Sequence, residues 1–134
     1  MSHYDQCREH SQLSKKLIYI ASPFSHPSRW VMKLRWAIVT AIGAKLVNEG
    51  IHIFGPITES HAYDEFGVEQ SGWEFWREHD LLMIDKCDEL WVATMKGWMQ
   101  SKGVQSEIEY AKKLGKPIHY INIFDYLPEL LELI

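Results

Sequence analysis

LIYIAS (residues 17–22) is an unbroken apolar run that Pro23 stops, and we interpret it as a buried β-strand. Similar short runs occur at residues 51–54, 89–94 and 117–123, with segments of helical spacing between them. Strands that alternate with helices predict a parallel sheet that is covered on both faces and joined by right-handed crossovers. The sequence therefore predicts an α/β protein in three layers.

The helical segments complete this prediction. Apolar residues recur at helical spacing over residues 28–49, 73–87 and 104–114, and a last short helix is expected around residues 126–133. Gly50 and Gly115 follow two of these helices, where a left-handed residue commonly ends a helix. Residues 55–72 are expected to form a long loop. We expect a flavodoxin-like or Rossmann-like three-layer sandwich, with a parallel sheet of four to five strands and helices on both faces.

Length and composition limit the function. With 134 residues the chain has room for one domain, expected at 16–134 after a flexible polar leader at 1–15. The net charge is −4 and no basic block is present, which argues against a nucleic-acid polymer as partner. No apolar run reaches the length of a membrane span, and the N-terminus does not resemble a secretory signal.

The two cysteines, Cys7 and Cys87, do not suggest a disulfide framework, so a cytoplasmic location is expected. The seven histidines are scattered without ligand spacing, and neither a Walker motif nor a GxGxxG motif is present. We therefore expect no metal and no cofactor. Ligands of parallel sheets bind beyond the carboxyl ends of the strands, which nominates residues 22–29, 55–72 and 96–103 for the site.

Glu107 is the most informative residue of the third long helix. At about 100° per residue, Val104, Ile108, Ala111 and Leu114 form the apolar face, and Glu107 falls inside it. A charged residue on such a face costs several kcal/mol unless it is paired. Either Glu107 is a structural carboxylate bonded to a neighbour, or it belongs to an active site, where such placements concentrate.

The preceding helix has the same anomaly. Asp80 lies in the middle of the face formed by Trp73, Trp76, Met83, Ile84 and Cys87. Its structural alternative is an N-cap, with the helix restarting at residues 79–80. Paired carboxylates in a cleft suit chemistry at an acetal carbon, where one attacks and the other handles protons or holds a hydroxyl. The nearby helix N-terminus is expected to keep the nucleophile ionised.

The loop before Glu107 is GWMQSKG (residues 97–103). Small and polar residues ahead of a helix expose backbone N–H groups to an anion, and Ser101, Lys102 and Gly103 add a hydroxyl, a charge and room for close approach. Ordinary turn chemistry produces the same composition, so this loop alone does not identify a phosphate site.

Several segments together carry a family resemblance: YIASPF (19–24), HDL (79–81), CDELWV (87–92), SKGVQSEIEYA (101–111) and LGKPI (114–118). Over about residues 16–123 the chain resembles the nucleoside deoxyribosyltransferase superfamily, including its deoxynucleoside monophosphate N-glycosidase branch. The most specific part is the six-residue gap from a polar residue to a glutamate, followed by Tyr-Ala and the Leu-Gly-Lys-Pro tail.

The resemblance implies a role for each matching position. Glu107 matches the nucleophile that forms a covalent glycosyl-enzyme, Asp80 the aspartate that handles the base or its proton, and Tyr19 the tyrosine that positions the glutamate. Ser101 matches a position that is Asp in the transferases and Ser in the monophosphate glycosidases, which favours a 5′-phosphorylated substrate. Glu109 departs from the glycine that the family has there, but the wheel places it outside.

Further substrate contacts are less closely matched. Ser22 lies in the first nominated loop, and Ser25 and Arg29 are plausible but unaligned substitutes for the family's phosphate-binding Ser and Arg. Phe24 and Trp98 either stack on a base or have structural roles, whereas a core position is favoured for Trp73. His61 is either a proton carrier or simply exposed.

Three functions follow from these patterns. The main hypothesis is cleavage of the N-glycosidic bond of a nucleoside or its monophosphate, by hydrolysis or base transfer. One alternative is a non-catalytic nucleotide-binding or sensor module that uses the same cleft. The other is a phosphoribosyl hydrolase, although its glycine-rich loop and arginine are missing here. The family implies a homo-oligomer, and the apolar tail at 126–134 either joins an interface or caps the core.

Overall fold

The computed structural model describes residues 15–69 and 72–133. The predicted leader, residues 1–15, therefore lies outside the described residues except for Lys15. Four strands alternate with helices along the chain: β1 (Leu17–Ala21), α1 (Arg29–Asn48), β2 (His52–Phe54), α2 (Pro56–Glu65), α3 (Trp73–Lys86), β3 (Glu89–Ala93), α4 (Lys102–Lys113), β4 (Ile118–Ile121), α5 (Ile123–Tyr126) and a 3₁₀ helix (Pro128–Leu133).

The four strands form one sheet in the order β2-β1-β3-β4, and every pair is parallel. Tyr19 lies opposite Phe54 on one side and Leu90 on the other. Because the chain moves from β1 to β2 and then returns to β3 on the far side of β1, the strand order reverses between β1 and β3. The predicted α/β architecture is confirmed, and this reversal is where ligands of such sheets bind.

Alternate residues of β1 enter two separate cores. Ile18 and Ile20 pack with Val39, Ile42 and Leu46 of α1 on one face of the sheet. Tyr19 and Ala21 point to the other face, where Ile84 of α3 and Val104, Ile108 and Ala111 of α4 cover them. Both faces of β1 are thus buried, as its continuous apolar run requires.

Helix ends follow the expected chemistry. The Ser28 hydroxyl accepts a hydrogen bond from the backbone N–H of Val31 at 3.4 Å and caps α1. Gly50 and Gly115 follow α1 and α4 in the left-handed region, at φ +84° and +70°, which confirms them as helix stops. Among the described residues, no helix has the length and apolar character needed to span a membrane.

Three boundaries differ from the prediction. Residues 55–72 are not one long loop, because α2 occupies Pro56–Glu65, with Pro56 in its first turn. Helix α3 runs without interruption from Trp73 to Lys86, so the structural alternative for Asp80, an N-cap where the helix restarts, does not apply. The predicted final helix is instead α5 followed by a 3₁₀ helix, since Pro128 cannot continue the hydrogen bonding of α5.

Two cationic side chains fix the parts of the fold that surround the site. The Arg35 guanidinium donates to the carbonyls of Phe24 and Ser25 and to that of Lys96, which joins the loops after β1 and β3. The Lys116 ammonium donates to the carbonyls of Ile84, Asp85 and Cys87 at the end of α3. The lysine of the Leu-Gly-Lys-Pro tail thus caps the helix that carries Asp80.

Candidate functional site

Glu107 is buried on the inward face of α4. Its exposed fraction is 7%, and Val104, Ile108 and Ala111 are the other buried residues of this helix. The helix begins at Lys102, with Ser101 as its N-cap, so Glu107 lies in the second turn. The placement predicted from the helical wheel is confirmed.

Tyr19 lies beside Glu107 beneath α4. The tyrosine is fully buried, and its pKa is raised well above the usual value, first by burial and then by the charges of Glu107 and Asp80. Its hydroxyl in turn lowers the pKa of Glu107 through hydrogen bonding. This hydrogen bond does not have regular geometry, because neither Tyr19 Oη nor Glu107 Oε2 has a partner at the usual distance and angle.

Asp80 completes the cluster from α3. Burial, followed by the charge of Glu59, raises the pKa of Asp80 to about 7. Asp80 acts electrostatically on both Glu107 and Tyr19, so the three predicted catalytic residues lie together. An exposed hydrogen bond of 3.2 Å from Arg77 Nε to Ser106 Oγ joins α3, which carries Asp80, to α4, which carries Glu107.

The ionisation of Glu107 differs from the expectation. Its pKa is raised from 4.5 to about 8, chiefly by burial and then by the Asp80 charge, against the smaller opposing effect of Tyr19. The helix dipole acts mainly within the first turn, and Glu107 lies beyond it. Burial therefore outweighs the dipole, and the free protein holds this carboxyl protonated at neutral pH.

Several buried polar atoms of the site lack partners. Four enclosed side-chain atoms of the described residues have no hydrogen bond of regular geometry: Tyr19 Oη, Ser22 Oγ and Glu107 Oε2 at this edge of the sheet, and Trp36 Nε1 in the aromatic group around His61. An unpaired buried polar atom costs about 1–3 kcal/mol, and folded proteins keep few of them. Ser22 directly follows β1, the strand that carries Tyr19. The three atoms mark this edge of the sheet as a place suited to a polar ligand.

The N-terminus of α4 supplies a second group of predicted residues. Ser101 Oγ accepts from the backbone N–H of Val104 at 3.2 Å, so this oxygen caps the helix, while its hydroxyl hydrogen remains able to donate. Lys102 Nζ lies 4.9 Å from the centre of the Trp73 ring. A Cβ on Gly103 would meet Trp73 at 3.7 Å, an ordinary contact, so Gly103 is not required here for close packing.

Trp73 is not a core residue. Its exposed fraction is 40%, and it lies over the N-terminus of α4 instead. The helical wheel predicts a core position for Trp73 because it identifies an apolar helix face. It does not show whether another element covers that face. Trp98 is half-buried, with its ring 5.5 Å from that of Tyr120.

The first loop and α2 form a neighbouring aromatic group. The His61 ring lies 4.7 Å from Trp36 and 6.1 Å from Phe24, and His61 Nε2 is 3.5 Å from Glu65 Oε1. His61 is therefore half-buried in a helix rather than exposed in a loop, and it is not among the groups that shift the pKa of Glu107 or Asp80.

Ser25 and Arg29 are both exposed and stay predictions as phosphate ligands. Sequence reasoning missed Glu59, since residues 55–72 were assigned to a loop, although a Pro followed by an acidic residue is a helix-start signal. It also missed Arg35, for which the sequence offers no signal, because its carbonyl partners are distant along the chain. Within residues 15–69 and 72–133, no three His, Cys, Asp or Glu side chains are arranged to hold a metal ion.

Comparisons with known proteins give one family. No curated protein matches this sequence. A family model described as a domain of unknown function, DUF1937, matches residues 16–123, which include all four strands, Tyr19, Asp80 and Glu107. Because this match covers most of the chain, the protein belongs to the DUF1937 family.

Proposed function

We propose that the protein cleaves the N-glycosidic bond of a nucleoside or deoxynucleoside, or of its 5′-monophosphate, through a covalent glycosyl-Glu107 intermediate. The observation that carries the proposal is the cluster in which the buried Glu107 and Tyr19 and the half-buried Asp80 act on one another on the face of the sheet covered by α3 and α4. A structural carboxylate would accept hydrogen bonds of regular geometry, whereas neither Glu107 Oε2 nor Tyr19 Oη takes part in one.

The chemistry divides into two steps. The ionised Glu107 carboxylate forms an ester bond to the anomeric carbon as the bond from that carbon to the base nitrogen breaks. The electron pair of the broken bond stays on the base, which takes a proton from the Asp80 carboxyl group. Water then attacks the same carbon, gives a proton to the Asp80 carboxylate, and releases Glu107. A second base in place of water gives transfer.

The mechanism requires a protonated Asp80 and an ionised Glu107, although Glu107 has the higher pKa of the two. The pKa is about 7 for Asp80 and about 8 for Glu107. The charge of Asp80 contributes to the raised pKa of Glu107, so the two groups titrate as a pair, and only a minority of molecules hold Asp80 protonated and Glu107 ionised at neutral pH. The reaction should therefore have a bell-shaped pH profile centred between pH 7 and 8.

The phosphate of a monophosphate substrate would lie at the N-terminus of α4. There the Ser101 hydroxyl hydrogen and the Lys102 ammonium supply donors and positive charge, and the free backbone N–H groups of the first turn favour an anion.

The test is release of free base from deoxynucleosides and their monophosphates, with and without an acceptor base. Glu107→Gln should abolish release, whereas Glu109→Gln, an exposed position on the same helix, should not. Base release by the Glu107→Gln protein at the wild-type rate would eliminate the proposed mechanism. An acceptor-dependent product distinguishes transfer from hydrolysis.

A second candidate is a nucleotide-binding module without turnover. It is favoured by the pKa of about 8 for Glu107, because a protonated carboxyl group donates a hydrogen bond and is a poor nucleophile. Calorimetric titration with the same nucleotides separates the two functions. Tight binding that Glu107→Gln preserves, in a wild-type protein that releases no base, would support the module.

The assembly and location remain parts of this proposal. A homo-oligomer is supported by apolar side chains that α3 leaves exposed, among them Phe75 and Leu82. Light scattering coupled to gel filtration measures the oligomeric state, and a monomer at micromolar concentration would contradict it. A cytoplasmic location accords with the buried free thiol of Cys87 and is tested by fractionation.

A further inference from the structure

A cavity of about 380 Å³ lies at the β2 edge of the sheet. Val39, Gly43 and Ala44 of α1 form one wall, and Ile20 and Ile53 form the floor. The volume is within the range of small-molecule sites, which are lined mainly by apolar groups with a few polar ones.

The cavity lies mainly on the α1 face of the sheet, but two of its lining residues approach the Glu107 cluster: the Phe54 ring lies 5.8 Å from that of Tyr19, and the Glu59 charge raises the pKa of Asp80. Ile20, which lines the cavity, points to the α1 face of the sheet, whereas Tyr19 points to the face covered by α3 and α4. The apolar part of the lining therefore lies on the opposite side of β1 from Tyr19, whereas Glu59 connects the cavity electrostatically to Asp80.

The cavity lining contains few polar side chains, and one of them is charged. Thr40 Oγ1 and Thr58 Oγ1 are hydrogen-bonded to each other at 2.8 Å across the gap between α1 and α2. Glu59 is the one charged residue that lines the cavity. Of the described Lys, Arg and His side chains, none forms an ion pair with it. The Tyr63 hydroxyl interacts with Glu59 by hydrogen bonding, so the cavity combines an apolar wall with one carboxylate that has a hydrogen-bond donor but no cationic partner among the described residues.

We propose that this cavity binds a small molecule that joins an apolar ring to a protonated amine, with the ring against Ala44 and Ile53 and the ammonium group at Glu59. The ring removes apolar wall from water, and the ammonium supplies the counter-charge that the protein does not provide. An anionic or purely polar molecule would lack one of these two contributions.

The contact between α1 and β2 closes the floor of the cavity. A Cβ on Gly43 would lie 2.9 Å from Ile53 Cδ1, so α1 and β2 are already in contact at the floor. Ala44 is exposed at the mouth, where a larger side chain can enter the cavity without disturbing the packed core. Ala37 is exposed on the same helix and does not line the cavity, which makes it the matched control position.

The experiment uses benzylamine and its uncharged analogue benzyl alcohol, followed by methyl NMR of Ile53 and Val39 in the full chain. We expect saturable shifts with benzylamine and about fivefold weaker binding of benzyl alcohol, the effect of one partly exposed ion pair. Ala44→Phe should abolish both sets of shifts, Ala37→Phe should preserve them, and Glu59→Gln should equalise the two affinities.

Other results would overturn the proposal. The absence of saturable shifts, equal affinities of the two probes for the wild-type protein, or shifts that survive Ala44→Phe would each do so. Shifts of the same methyl groups that depend on protein concentration without any probe would assign the cavity to contact with a second copy instead. None of these readouts depends on glycosidic activity.

Discussion

Replacing Glu107 by Gln should stabilise the protein, and more strongly as the pH rises. The carboxyl group has a pKa of about 8 in the folded state and 4.5 as its ordinary value. Because the folded-state value is raised, its stabilising effect is complete below pH 4.5 and is lost as the pH rises through 8. Gln has nearly the same shape and carries no charge at any pH.

The size of the stabilisation by Glu107→Gln follows from the difference between the ordinary and the folded-state pKa of Glu107. One pKa unit corresponds to about 1.36 kcal/mol. The burial penalty of the ionised Glu107 is below about 1 kcal/mol at pH 5 and reaches about 5 kcal/mol at pH 9. The gain in the free energy of unfolding from Glu107→Gln should therefore grow by about 4 kcal/mol between these two pH values.

Urea unfolding at pH 5, 7 and 9 measures this difference without knowledge of the substrate. Glu109→Gln serves as the control, because Glu109 is exposed on the same helix and its replacement should change stability little at any pH. An effect of Glu107→Gln that does not vary with pH would refute the reasoning, since it would mean that Glu107 is not held protonated by burial.

Three further predictions concern the surroundings of Glu107. Ser101→Asp should keep the helix cap but reduce cleavage of monophosphates more than that of free nucleosides, and equal losses in kcat/KM would contradict a phosphate at this position. Glu59→Gln should lower the pKa of Asp80, measured by carboxyl NMR, because the Glu59 charge raises it; an unchanged titration would show that the two groups do not interact. Arg35→Met should destabilise the protein by about 1–3 kcal/mol in urea and speed amide exchange in both loops that it joins. Gly97→Ala should also destabilise the protein and speed amide exchange, since Gly97 has φ +95° and an added Cβ would lie 2.5 Å from Arg35 Nη2. If neither variant changed stability or amide exchange, the contact between Arg35 and the two loops would contribute nothing.

The sequence predicts the sheet and Glu107 well for a physical reason. Apolar runs that are buried on both faces stand out clearly, and the helix around Glu107 has a narrow apolar face in which one charge is conspicuous. The pairing of Tyr19 with Glu107 came from the family resemblance, and the structure brings these two residues together.

Other features depend on what covers each element, which periodicity does not reveal. Helix α2 has apolar residues without helical spacing, so the sequence predicts a loop there and gives no role to Glu59. The sequence predicts an ionised Glu107 because it shows the helix N-terminus but not the full burial of the side chain. A helical wheel predicts a core position for Trp73 because it cannot show that this face is left partly open.

The most direct test of the central claim is whether Glu107 carries a sugar during turnover. Wild-type protein incubated with a deoxynucleoside or its monophosphate, quenched in acid and digested, should yield the peptide that contains Glu107 with the added mass of the glycosyl group. Glu107→Gln protein treated in the same way should yield no labelled peptide. Turnover without any label on Glu107, or with the label on another residue, would contradict the account.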